Sequence, residues 1–354
     1  MAEAAVRHAI VPVCCTLAVG TLLSSARARQ VKLPPTLFIA LSAGCGVFRF
    51  VNHFRGNGNS KLAAWLASMA FFRLCADPHR HIVLAYGCVE VVGEYYAKRP
   101  FLSYLGEQTV VLASVIRLIY TFMTNPEWLP PSSRKLLDYQ ANIPISQMEI
   151  FRQNFHSGAT TRCVAIHPNE TCGSFAISRS VGLVERGVQI FVPLHTLSLV
   201  ATMAARKTVH LDKAMDNLVR SIGFLFFAYS GPFFCSCMLP QKDHKVCLFI
   251  ASATTYPALF VEPSKRRQSL QKAIMCWSLV SLVLQVKTWK LGQRLKGFPW
   301  SWLGAAAYAA CMVKILAHPE SHNQWVMRYL YGRDMKQEKE DEEPRQSKML
   351  TGAV

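Results

Sequence analysis

Ten apolar stretches, five on either side of a polar middle, constrain this chain more than any other feature. They run over 9–26, 34–50, 62–76, 82–97 and 109–124, then 187–205, 221–240, 246–261, 273–286 and 297–317. A membrane-crossing helix needs about 20 mostly apolar residues, within a range of about 17–25. The stretches 9–26, 187–205 and 221–240 meet that requirement without a formal charge, whereas others are shorter or hold Arg49, Arg73, Glu90, Glu94, Arg117 or Lys314. Pro12, Pro193, Pro232 and Pro257 fall inside apolar runs. Membrane helices tolerate such prolines, because neighbouring groups re-satisfy the freed carbonyls. Only 17% of residues are charged and 51% are hydrophobic, against about 25% charged in ordinary soluble domains. The expected fold is all-α, a polytopic membrane helical bundle. The stretch 9–26 is longer than the apolar core of a cleaved signal peptide and has Pro12 early in it, so it reads as a retained membrane segment.

The net charge of +18 is spread in short basic groups between the apolar runs. Examples are Arg134-Lys135, Arg206-Lys207 and Lys265-Arg266-Arg267. A nucleic-acid binder gathers such charge on one polar domain. Groups that punctuate apolar segments instead resemble anchors at anionic headgroups. The expected partners are the lipid bilayer and other organelle-membrane proteins or a second copy of the chain, and not nucleic acid. Basic groups flank the spans on both sides, so they do not fix the orientation.

The two groups of stretches echo each other in order. Ser42-Ala43-Gly44 is answered by Ser221-Ile222-Gly223, and Leu66-Ala67-Ser68 by Ile250-Ala251-Ser252. Asp77-Pro78 followed by Arg80 is answered by Glu262-Pro263 followed by Lys265 to Arg267. Ser103-Tyr104-Leu105-Gly106 is answered by Ser301-Trp302-Leu303-Gly304, and Ile116-Arg117 by Val313-Lys314. A fixed order of echoes indicates a diverged tandem duplication. Five segments per copy would invert one half against the other, as in many transporters. The expected organisation is a first membrane repeat over 1–124, a polar connector over 125–180, a second repeat over 181–334 and a solvated, disordered tail over 335–354.

The connector carries Arg162-Cys163-Val-Ala-Ile-His167-Pro168-Asn169-Glu170-Thr171-Cys172. Cys163, His167 and Cys172 are soft ligands, but zinc takes four, usually at closer spacing, and His156 is one candidate for the fourth. A disulfide between Cys163 and Cys172, or three unrelated loop residues, explains the same letters. The cysteines in or beside apolar stretches, Cys235 and Cys237 among them, read as small hydrophobes.

The connector's Cys–His-Pro–Cys pattern, the Leu-Ala-Ser-Met turn into Asp77-Pro78 and Glu94-Tyr-Tyr-Ala-Lys98 together resemble the transmembrane protein 135 family. The stretch from Tyr120 to Leu137, with Asn125-Pro126-Glu127-Trp128, adds to the resemblance. That family is related to the mitochondrial inner-membrane translocase channel subunits and to peroxisomal membrane protein four. The resemblance implies a multi-spanning protein of peroxisomal or mitochondrial membranes, linked to organelle dynamics and lipid homeostasis. It implies no catalytic residue.

Ionisable residues inside spans are costly and default to functional readings. Glu90 and Glu94 share one helix face, four residues apart, and with Arg73, Arg117 and Lys314 form a candidate polar path. Gly44, Gly46, Gly223 and Gly304 lie on small-residue surfaces suited to close helix packing. No nucleophile, base and orienter, phosphate loop or dinucleotide fingerprint stands out. The expected function is therefore structural or regulatory, acting through partners, without catalysis or cofactor. The alternatives are a transporter or permeation protein for a lipid or small solute, and an intramembrane enzyme.

Overall fold

The computed structural model describes residues 2–28, 34–54, 60–97, 100–157, 161–204, 208, 210–240, 244–289, 300–317 and 324–331. Among these residues every regular element is helical. Helices α1 (Ala2–Ala28), α2 (Thr36–Phe54), α3 (Ser60–Leu74), α4 (Asp77–Ala97) and α5 (Pro100–Thr124) take up the first five apolar stretches. Three shorter helices follow: α6 (Pro131–Ala141), α7 (Ile145–Ser157) and α8 (Arg162–Ile166). The second group forms α9 (Cys172–Ala204), α10 (Leu211–Met238), α11 (His244–Ala253) with a 3-10 turn (Tyr256–Val261), α12 (Ser264–Thr288) and α13 (Trp300–Leu316). A last helix, α14, covers Gln324–Tyr331. The tail expected over 335–354 lies outside the described residues.

Among the described residues, seven helical segments are long and apolar enough to cross a membrane: Ala5–Ser25, Thr36–Phe54, Tyr104–Thr124, Cys172–Ala204, Leu211–Met238, His244–Val261 and Arg266–Thr288. Helix α9 makes the physical case. Ile177, Val181, Leu194, Leu197 and Val200 on it are each more than half exposed. In water such a face would be an aggregation surface, whereas in a bilayer it is simply lipid-facing. The chain is a multi-pass integral membrane protein.

The chain divides into two compact units, Met1–Tyr95 with Leu295–Val354, and Tyr96–Arg294. In the first, α2 packs on α1 and α3, and α3 packs on α13. Its core holds Phe48, Ala63, Ala64, Ile315 and Leu316, with a neighbouring cluster of Ala40, Phe71, Phe72, Ala305 and Tyr308. In the second, α10 packs on α9 and α11, and α11 packs on α5. Val111, Val115, Phe122, Phe151, Leu183, Leu225 and Leu248 fill its core.

The order of neighbours is the same in both units. Ser42 and Ser221, Ala67 and Ala251, and Ser68 and Ser252 are all buried, so the echoed positions are the inward-facing ones. The units nevertheless cut the chain differently from the expected halves, because each fifth helix packs on the third helix of the opposite group. The acidic-proline steps also match. Arg80 pairs with Asp77 and caps the carbonyls of Phe72 and Arg73, while Arg266 pairs with Glu262 at 3.0 Å and binds Ser221 Oγ.

A methyl group placed on Gly44 would lie 3.0 Å from Phe71 Cβ, on Gly46 2.8 Å from Val13, and on Gly304 3.1 Å from the Phe72 ring. At Gly223 the nearest atom is 3.5 Å away, an ordinary contact. Gly44→Ala is thus expected to cost about 1–3 kcal/mol through overpacking, since Phe71 Cβ cannot swing aside. Gly223→Ala should leave thermal unfolding of the detergent-solubilised protein unchanged.

Candidate metal centre

The polar connector is helical and is pinned to the second unit by buried cations. Arg152 on α7 donates to Phe122 O at 2.9 Å and faces Asp138 at 3.7 Å, with burial pushing its pKa below the usual arginine value. Arg179 on α9 donates to the carbonyls of Ala141 and Asn142 at the end of α6, where Asn142 closes the helix in the left-handed conformation (φ 50°). Helix α9 therefore begins well before the apolar stretch at 187, and the expected connector boundary at 180 falls inside it.

Arg162 sets the connector against α10. In a helix the Ser236 carbonyl would receive the N–H of residue 240, but that residue is proline and has none. The Arg162 guanidinium fills the gap, donating to Ser236 O at 3.2 Å, Leu239 O at 3.1 Å and Pro240 O. A cation at a helix C-terminus also opposes the helix dipole. Only 2% of Arg162 is exposed. The next residue is Cys163, whose thiol donates to Cys237 O at 3.7 Å. Thr161 caps α8 from in front, accepting from Val164 N, and Gln147 reaches Ile166 O behind it.

Four donor atoms converge here. Cys163 comes from α8, His167 from the turn after it, Cys172 from the first residue of α9, and Cys237 from the last turn of α10. All lie within 4.8 Å of one another. Zinc–sulfur bonds of about 2.3 Å and zinc–nitrogen bonds of about 2.0–2.1 Å imply tetrahedral edges of about 3.8 Å for S···S and about 3.5 Å for S···N. The observed separations are 3.8 Å for Cys163–Cys172, 3.5 Å for Cys172–His167 Nε2 and 3.4 Å for Cys237–His167 Nε2. The dimensions suit one ion; in a two-iron cluster the ligand pairs are divided between separate irons.

The histidine is pre-oriented. Its Nδ1 pairs with Glu170 O at 2.9 Å, which leaves Nε2 facing the sulfurs, and Phe175 stacks on the ring at 4.8 Å. Such an outer partner fixes the tautomer of a ligating imidazole. Burial, then the Cys172 thiol, raises the Cys163 pKa above the ordinary thiol value. A cation among the sulfurs reverses that preference, since coordinated thiols are deprotonated.

Two sequence expectations need correction. His156 does not join the cluster; its Nε2 pairs with Thr124 O at 2.9 Å, at the end of α5. The Cys163–Cys172 disulfide is not formed, both thiols being free. Cys237 is the fourth donor of the cluster, and in the sequence it reads as a small hydrophobe. The available signal was its position just before Pro240, at the end of an apolar stretch where a span meets the membrane surface.

The expected polar path is distributed over both units. Glu90 is buried and Glu94 half-buried on α4, and Lys314 is exposed on α13. Arg73 donates to Ser301 Oγ at 2.6 Å and lies 4.3 Å from the Trp302 ring centre. Arg117, in the other unit, bonds to neutral groups of α12. No protein-family model, curated protein or solved structure matches the chain.

Proposed function

We propose that this is a multi-spanning organelle-membrane protein whose connector is locked to its second unit by a structural zinc ion, and that it works through partners rather than by catalysis. The carrying observation is the convergence of four protein ligands at the open end of the α9–α10 pair. Four protein ligands close a zinc site, whereas catalytic zinc keeps a position for water or substrate. The ion would tie the start of α9, the end of α10 and the connector into one rigid surface for a partner.

Metal-bound thiols also bear on location. Three cysteines stay reduced in the cytosol or an organelle matrix and tend to oxidise in a secretory lumen. That supports a connector on a reducing side and agrees with a peroxisomal or mitochondrial membrane, as does the resemblance to the transmembrane protein 135 family. Support of membrane homeostasis and organelle dynamics is the role this reading assigns. A transport role draws on a separate observation, the burial of Glu90 within α4.

The test is elemental analysis of the purified full chain, together with imaging of the tagged protein against peroxisomal and mitochondrial markers. One zinc per chain is expected, with signal on one of those organelles. An impermeant maleimide should label Cys172, the exposed ligand, only after chelation. Metal-free protein from zinc-replete cells, with Cys172 freely labelled, would defeat the zinc reading; secretory-pathway signal would defeat the location.

A further inference from the structure

Arg117 sits in the span Tyr104–Thr124, close to its midpoint. Its Nη2 donates to Gln285 Oε1 at 2.8 Å and Ser281 Oγ at 3.3 Å, and its Nε donates to Ser278 O at 3.4 Å. All three acceptors are neutral, and Nη1 has no partner among the described residues. Of the helices packed on α5, α11 and α12 contain no Asp or Glu, and Glu149 of α7 faces Arg134 at 3.6 Å. On its own side of the bundle the adjacent acids are Glu107 and Glu127, each ten residues away in sequence, or about 15 Å at helical rise. Glu127 is held by Asn125 besides. A cation at this depth without a counter-charge is costly, and such residues mark ligand or ion sites by default.

Beside Arg117 runs a groove of about 430 Å³, within the usual size range of ligand sites. Leu112, Ala113, Ile116, Tyr120 and Phe249 make its wall, and it extends along α5 from Thr109 to Thr121, with Trp128 at one end. Twelve helical residues give it a length of about 18 Å. It is long, narrow in chemistry and charged at one place. Trp at the rim is characteristic of a membrane interface.

We propose that this groove binds a long-chain carboxylate, with the Arg117 guanidinium holding the head, the apolar wall toward Thr109, about 12 Å long, holding the first half of the chain, and the rest of the chain running on into the bilayer. The guanidinium matches a carboxylate in shape and charge. A phosphate head would call for several donors, but here one guanidinium nitrogen is unengaged and the rest of the wall is mainly apolar. The groove shares no residue with the thiol cluster, so the two sites stand or fall separately.

The test uses the purified full chain in detergent and a palmitate analogue carrying a diazirine. Photolabelling should map to α5 and Phe249, and palmitate should compete while its methyl ester and the matching alcohol do not. Arg117→Gln should cut labelling about tenfold or more, the loss expected for a charge-assisted contact, with helical content by circular dichroism unchanged. Ala113→Phe, which fills the groove and keeps the arginine, should abolish labelling even if Arg117→Gln fails to fold. Equal competition by the ester, or undiminished labelling of Ala113→Phe, would overturn the proposal. Stronger labelling by a photoreactive diacyl phospholipid would overturn it too, because the groove would then hold only bilayer lipid.

Discussion

Cys237→Ser should abolish stoichiometric zinc and lower the stability of the second unit. Structural zinc sites in small peptides are worth about 10–16 kcal/mol at neutral pH. Shared over four ligands, that is roughly 2.5–4 kcal/mol each, or roughly 10²- to 10³-fold in affinity. The loss should appear in competition against a chelating dye, with thermal unfolding of the variant matching that of chelator-treated wild type. Cys235→Ser is the control. It lies two residues earlier on α10, about 200° around the helix, so its sulfur points away from the cluster. The control should keep one zinc and wild-type unfolding. If Cys237→Ser also retains zinc at wild-type affinity, the fourth ligand is misassigned. If chelator leaves wild-type unfolding unchanged, the ion does not lock this fold.

That ligand shows where sequence reading runs out. Cys163, His167 and Cys172 declare themselves by proximity along the chain, but a fourth ligand 65 residues beyond Cys172 has no local spacing to mark it. Residue type misled as well, because a cysteine in an apolar helix reads as a packing residue, as the buried Cys45 and Cys276 do. His156 is near these three only along the chain, and the Thr124 carbonyl claims it. The ten helices were legible because hydrophobic stretches of this length have few alternatives in a charge-poor chain. The true start of α9 was hidden by Arg179, Glu185 and Arg186, which look like loop residues. Arg179 caps α6 and Arg186 lies 4.2 Å from the Tyr139 ring centre, so their polarity is used by the connector rather than by solvent. Hydrophobic pattern states which residues turn inward, but it does not name the helix they meet. The exchange of fifth helices between the two groups was for that reason invisible.

Arg162→Gln is expected to be the most damaging change outside the ligands themselves. It strips donors from the Ser236, Leu239 and Pro240 carbonyls at a site where almost no water reaches the arginine. Each unsatisfied buried acceptor costs about 1–3 kcal/mol, so partial re-satisfaction leaves a loss of roughly 3–5 kcal/mol. Lysine keeps the charge but not the planar fork, and should recover about half of that. The informative readout is zinc affinity. Arg162 precedes Cys163 and grips the end of the helix that bears Cys237, so it positions two of the four ligands. Supporting residues of this kind change metal affinity by about 10–100-fold. Arg162→Gln should therefore weaken zinc binding by that factor, and Arg162→Lys by less. In a double variant with Cys237→Ser the two stability losses should fall short of additive, since both act through one site. Full additivity, with wild-type zinc affinity in Arg162→Gln, would reduce the arginine to a helix cap and separate the connector's anchoring from its metal.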